Sequence, residues 1–507
     1  MPLFRPTYWS GFILSAGLAL ASMAGAAAAQ TLTIAQGNDI LSLDPANHGN
    51  NSTESALVNI YEYLVDKDFS QGQLRFTPRL ARSWSTEDNI RWTFKLRDDV
   101  LWHNGDRFTA ADVKFTIERA QQDKKLINAS KFRRIKSVEA PDDTTVVIET
   151  DRPDTLLLHY FVGNGAGILP KAAFEKAGGK EEFFKKPVGT GPYVFEQWIK
   201  SDQVILSRNP RWWGGTPKWE KVVIRSIPET TTRVAELLTG GVDIAVNIPP
   251  EDIARLNDNK GTRAITFDIA RNIALHVRTG KDRVTGDPKL REAIDLAIDR
   301  DAIVKQVLEG HGKSTRGFFP PAIPGFAPDL NTNIRFDPER AKALLKEAGF
   351  DGRKRPAIKI STPSGRYVKD REIVEAVGGY LEDVGFRVQV EVLDWTVYNS
   401  RLAGDGFGEL YLWGMGSYTD ASSIFVQDFK RHYDWSDPAF EDLAKKAGNA
   451  KTEAERIALS QQAQKIVAEQ RVRIGLLLPQ SIYGVSDRVV YDGRFDEMIA
   501  AEDVGRP

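Results

Sequence analysis

The residues best equipped for chemistry lie in RWTFKLRDDVLWHNGDRFTAADVKF, Arg91 to Phe115, where His103 sits among Asp98, Asp99, Asp106 and Asp112. A histidine within reach of a carboxylate is the arrangement of general acid–base catalysis. The local pattern argues for scaffolding instead. Arg91 to Arg97 alternates, with Trp92, Phe94 and Leu96 on one face, the period of a half-buried strand. Asp98-Asp99 makes a turn, and Val100-Leu101-Trp102 starts a second short strand. Asn104-Gly105 turns again, because both residues tolerate positive φ. Thr109 then caps a helix whose apolar positions, Val113, Ile117 and Ala120, recur at helical spacing. The charges fall in turns or on a solvated face, and His103 has no visible partner.

No other pattern supplies a reaction. Six histidines are scattered, and neither H-E-x-x-H nor G-x-S-x-G occurs. Cysteine is absent, which excludes disulfides, thiolate metal sites, cysteine nucleophiles and a lipid-modified N-terminal cysteine. Gly189-Thr-Gly-Pro192 is a tempting phosphate loop. It lacks the lysine of G-x-x-x-x-G-K-[ST], and its proline removes an N–H that a phosphate cradle needs. No catalytic residue, metal site or cofactor is expected.

What remains is binding. Trp395 and Tyr398 in LDWTVYNS, with Trp413 and Tyr418, suit a stacking wall for an apolar or sugar-like ligand, and suit core packing equally. Asn38 lies just before LSLDPANHGNNS and Asn47 and Asn50 lie within it, where side-chain amides either make turns or hydrogen-bond a ligand. Arg366 in STPSGRYVKD precedes a helix. Its guanidinium suits a planar anion bidentately; as an ordinary loop charge it would be solvated.

The elements that must position these residues alternate. TLTIAQG is a strand, and Glu54 to Leu64 looks helical. SVEAPDDTTVVIE is a hairpin about an Asp-Asp turn. Tyr193 to Trp198, Val204 to Ser207, VVIRSI and VDIAV are strands, and Thr231 to Leu238 is a helix. The aromatics of NPRWWGGTP are expected to be buried rather than to face a ligand. In the second half Leu290, Ala293, Ile294 and Ala297 mark a helix. Asp337-Pro338 opens another that Gly349 stops, and Glu372 to Val384 is a third, ended by Gly385. Phe386 to Val392 alternates as a strand, Asp437-Pro438 opens a helix, Thr452 and Glu455 form a capping box, and IGLLLP is a buried strand. Strands alternating with helices in both halves indicate an α/β fold.

With 507 residues the chain is long enough for two large lobes or about three domains. A net charge of −1 gives no reason to expect nucleic acid or an anionic membrane surface as partner. The N-terminus combines Arg5, an apolar run from Gly11 to Ala24 and Ala27-Ala28-Ala29, the make-up of a signal peptide cleaved after Ala29. Residues 1–29 are therefore expected to be removed, leaving an exported, unanchored protein, best placed in a periplasm.

The run from Arg79 to Ala120, RLARSWSTEDNIRWTFKLRDDVLWHNGDRFTAADVKFTIERA, resembles the signature block of periplasmic solute-binding proteins of peptide and nickel ABC importers, the extracellular family 5 proteins. TLTIAQGNDILSLDPA, PVGTGPYVFEQW, NPRWWGGTPKWEKVVIRSIPE, AELLTGGVDIA and PKLREAIDLAIDRDAIVKQVLEGHG are similar to further blocks of that family, in the same order. The resemblance implies a two-lobed periplasmic-binding-protein fold of type II, large peptide-binding class, with a hinge between the lobes. Lobe one would take residues 30–270, with an inserted subdomain at about 61–185. Lobe two would take 271–477, and 478–507 would return to lobe one. The opening stretch would then belong to the insertion, away from the cleft.

The resemblance also implies a monomer that captures a peptide or peptide-like solute between its lobes and delivers it to an inner-membrane permease and ATPase. In peptide-binding members an acid three positions before a second Asp pairs with the peptide amine. In LYLWGMGSYTDASSIF the second acid is Asp420, and the amine-binding position falls on Ser417, beside Tyr418. A serine hydroxyl supplies no charge to a buried ammonium. A non-peptide ligand (opine, oligosaccharide, metal chelate or haem) is therefore the alternative. Arg366 stands about where some members hold a carboxylate.

Overall fold

The computed structural model describes residues 30–332, 334–402, 406–416, 419–425 and 434–507. The leader read over 1–29 lies outside the described residues.

Twelve strands share one sheet. In chain order they are β1 (Thr31–Gln36), β2 (Tyr193–Ile199), β3 (Gln203–Arg208), β4 (Lys221–Ser226), β5 (Ile244–Ala245) and β6 (Thr262–Asp268), then β7 (Asn272–Val277), β8 (Gly312–Ser314), β9 (Ala357–Pro363), β10 (Arg387–Leu393), β11 (Leu410–Met415) and β12 (Arg473–Ser486). Their order across the sheet is β10-β9-β11-β7-β12-β5-β1-β4-β3-β2, with β6 and β8 also paired to β12. The expected strand IGLLLP is the start of β12, which runs for 14 residues. Its first part, Arg473 to Leu477, pairs with β7, and its last part, Gln480 to Ser486, pairs with β6. One strand thus belongs to two sets of neighbours. The chain also passes directly between those sets from Asp268 at the end of β6 to Asn272 at the start of β7.

Each half has its own apolar core. Ile273 and Leu275 of β7, Ile360 of β9 and Leu412 of β11 pack under helices Pro288–Ala297, Pro338–Glu347 and Asp370–Val384. Leu32 and Ile34 of β1 pack with Tyr193 of β2, Val222 of β4 and Leu57. Asp287 and Asp337 cap their helices with proline following. Gly349 and Gly385 stop theirs at φ +85° and +117°, which only glycine adopts without strain. A smaller antiparallel sheet of four strands, Ala81–Thr86, Arg91–Leu96, Thr145–Thr150 and Ile135–Asp142, carries a third core around Phe94, Trp102 and Ile117.

His103 is part of the scaffold. Its Nδ1 accepts from Gly189 N at 3.1 Å and its Nε2 lies 3.0 Å from Gly191 O, so the neutral ring is held by both nitrogens. Burial pushes its pKa down to about 4, against a smaller upward pull from that carbonyl. The two most recognisable motifs of the sequence are therefore bonded to each other. Trp212 and Trp213 of NPRWWGGTP are half-buried rather than buried, and their indole N–H groups donate to Glu62.

Two elements depart from expectation. The helix read over Glu54 to Leu64 covers Asn51–Leu57 instead. Beyond it the carbonyls of Asn59 and Ile60 accept from Tyr193 N and Gly191 N, 2.9 Å each, and that long-range pairing wins over helix continuation. Val100 to Trp102 forms only an isolated bridge, Leu101 to Arg107, rather than a strand. The capping box at Thr452 is also incomplete, because the Glu455 carboxylate reaches Lys451 N rather than Thr452 N.

Gly189 is fixed by this packing, since a Cβ there would lie 1.8 Å from the Ile60 carbonyl oxygen. Gly189→Ala should lower the unfolding free energy by about 3 kcal/mol. Gly379→Ala, on an open helical face, should raise it by up to ~1 kcal/mol. Urea unfolding of the two variants checks both signs.

Candidate ligand-binding site

A cavity of about 260 Å³ opens where the two halves meet. One wall comes from Gly49 to Asn51, from Ile127, Asn128 and Lys131, and from His159, Tyr160, Val162 and Asn164; the other from Arg366, Tyr367, Trp395, Trp413 and Met415. Arg271, in the crossing between β6 and β7, lines it from behind.

Arg366 belongs to the turn between β9 and helix Asp370–Val384. The Asp370 carboxylate folds that turn by accepting from the N–H groups of Gly365, Arg366, Tyr367 and Arg371 at 2.8–3.2 Å. Burial raises the Asp370 pKa to about 6, and these N–H groups pull the other way. The Arg366 carbonyl accepts from Asn247 Nδ2 at 3.2 Å, which ties the turn to the segment after β5. Its side chain is 7% exposed and lies over the rings of Tyr367 and Trp395, 5.0 and 5.4 Å from their centroids. The buried Nε has no hydrogen-bond partner. Among the described residues no carboxylate forms an ion pair with this guanidinium. Burial, then the neighbouring Arg271, lowers its pKa.

Arg271 is compensated. Its Nε and a terminal nitrogen meet Glu497 at 2.8 and 2.6 Å, and it also donates to the Gly414 carbonyl. Lys131 donates to the carbonyls of Val162 and Asn164. His159 Nδ1 lies 2.8 Å from Thr419 Oγ1. Burial pushes the His159 pKa down to about 4, with Asp420 opposing, so the ring is neutral near pH 7. Asn50 accepts from Thr53 N at 3.0 Å as a helix cap, and its Nδ2 is buried without a partner.

The structure brings together only part of the set expected from the sequence. Arg366, Trp395, Trp413 and Asn50 line the cavity. Tyr398 does not: its hydroxyl donates to Leu412 O, and its ring packs against Trp395, Phe407 and Tyr411. Asp420 is also off the lining. One of its oxygens meets Arg456 at 2.6 Å and the other accepts from Ser422 N at 2.8 Å, so its charge is already neutralised within the fold. Asn38 is buried away from the cavity, with its carbonyl accepting from Gln36 Nε2, and Asn47 is an exposed turn residue. Ser417 and Tyr418 lie outside the described residues. Residues 91–106 line no part of the cavity, yet other parts of the 61–185 segment do, through residues within Ile127 to Lys131 and His159 to Asn164. Lys131, His159 and Arg271 had no local signal, because each is brought in by a distant segment.

Contacts around the rim hold the halves together. Lys369 pairs with Glu251, Arg456 donates to Thr155 O at 3.1 Å, and Arg134 donates to Gly448 O. The buried charge thus faces a partly open cleft between the two halves.

Residues 75–436 match the model of the family described as bacterial extracellular solute-binding proteins, family 5 Middle. The chain belongs to this family. Glutathione-binding protein GsiB of Shigella boydii serotype 4 (strain Sb227) is 27% identical to it over 498 residues, 94% of each chain. The dipeptide-binding protein of Escherichia coli (strain K12) is 28% identical, over 90% of this chain and 91% of its own. The ABC transporter-associated periplasmic binding protein DppA from Helicobacter pylori, solved with peptide STSA, has a TM-score of 0.81 at 28% identity, covering 94% of this chain and 98% of that one. This family 5 protein is thus the binding component of an ABC importer and has the two-lobed α/β fold expected from its sequence. Its relatives are named for binding rather than for catalysis.

Two buried charges of this solute-binding protein should respond oppositely to removal. Asp420→Ala strands Arg456 and should cost roughly 3–5 kcal/mol. Arg366→Met strands no partner, so the ligand-free unfolding free energy should stay level or rise. Urea unfolding decides it; an equal loss in both would mean that Arg366 is compensated within the protein.

Proposed function

We propose that this importer component captures a peptide or peptide-like solute in the cavity and presents it to a membrane permease. The observation that carries the reading is Arg366. A guanidinium this deeply buried is costly without an anion, and the solute's carboxylate is the anion that the site is shaped to receive. Trp395 and Trp413 supply flat apolar walls, and the amides of Asn50, Asn128 and Asn399 line the cavity as hydrogen-bonding partners for the solute's backbone.

The lobes are residues 30–270 with 478–507, and 271–477, and the 61–185 segment is an elaboration of the first. The two crossings, at 269–271 and within β12, serve as the hinge. The solute favours the closed form by the contacts it makes only there, and the permease reads that form. The protein works as a periplasmic monomer after loss of residues 1–29, without cofactor, metal or nucleic acid.

Native mass spectrometry of residues 30–507, purified gently from a periplasm, tests this. A small solute should be retained by the parent chain and absent from Arg366→Met. A solute held equally by both would remove Arg366 from the site.

A further inference from the structure

The charges around the cavity define the solute more narrowly than its size does. Lys131, Arg271 and Arg366 line it, and no Asp or Glu does among the described residues. Four carboxylates stand close behind the lining, and each is already engaged. Glu497 is held by Arg271. Asp154 accepts from the hydroxyl of the lining residue Tyr160 at 2.9 Å and from Leu156 N at 3.0 Å. Asp370 accepts the four N–H groups of the Arg366 turn. Asp420 is held by Arg456 and Ser422.

A solute ammonium buried here would face the Arg366 guanidinium and, among the described residues, no carboxylate on the lining. A solute carboxylate would meet Arg366, whose Nε is buried and unpartnered. Resting on the capture reading above, we propose that the preferred solute is a net anionic acid with no free ammonium group, such as an N-acylated dipeptide. The blocked amine then presents a neutral amide to the asparagine-lined wall, and the carboxylate neutralises Arg366.

Isothermal titration of residues 30–507, stripped of carried solute by unfolding and refolding, distinguishes the outcomes with three probes: Ala-Ala, N-acetyl-Ala-Ala and N-acetyl-Ala-Ala-amide. N-acetyl-Ala-Ala should bind at least tenfold more tightly than either of the others, and Arg366→Met should erase its advantage over the amide. Tighter or equal binding of Ala-Ala would overturn the charge assignment while leaving peptide capture standing. Binding of none of the three would overturn both.

Discussion

A buried arginine, Arg366, with no carboxylate paired to it among the described residues, is the constraint around which the cavity is arranged. The fold does not tolerate Arg366 by chance. The turn that carries it is wound around the Asp370 carboxylate, which spends its acceptor capacity on four backbone N–H groups and leaves the guanidinium unneutralised. The rings of Tyr367 and Trp395 hold the charge through their faces, an attraction that orients a cation without cancelling it. The result is a buried cation held at the junction of a strand and a helix, where the main sheet fixes its position, and this is the feature on which the proposed anion recognition rests.

Other buried charges show what compensation looks like in this protein. Arg271 has Glu497, Arg456 has Asp420, and Arg119 has Asp44. Arg300 has Asp295. Arg233 and Arg291, buried without a carboxylate in the ion-pair sense, donate to backbone carbonyls instead, whereas the buried Nε of Arg366 has no acceptor among the described residues. Long strand β12 makes the placement useful, because it pairs with β7 at one end and β6 at the other and so links the halves that form the two walls. On the proposed capture reading, a solute bridging those walls would add its own contacts to rim contacts such as Lys369 with Glu251.

The scaffold was readable from residue patterns because its causes are local. Alternation in Arg91 to Arg97, capping at Asp287 and Asp337, and stops at Gly349 and Gly385 all depend on neighbours in the chain, and the structure has them. The helix at Asn51–Leu57 is shorter than its residue pattern suggests because the backbone after it is claimed by Gly191 and Tyr193, far along the chain. The site was less legible for the same reason. Arg366 stood out by its chemistry, and Trp395 and Trp413 by their type, but Lys131, His159 and Arg271 arrive from separate segments with no pattern to announce them. Tyr398 and Asp420 looked equally suitable in sequence; only their partners, Leu412 O and Arg456, reveal structural roles.

The most direct test of this account is a crystal structure of residues 30–507 purified with its natural solute. The account predicts an oxyanion of that solute bound bidentately by Arg366, with two N–H···O distances near 2.8 Å. A guanidinium paired instead with a carboxylate of the protein, or a solute that leaves it untouched, would contradict the claim that this charge selects the ligand.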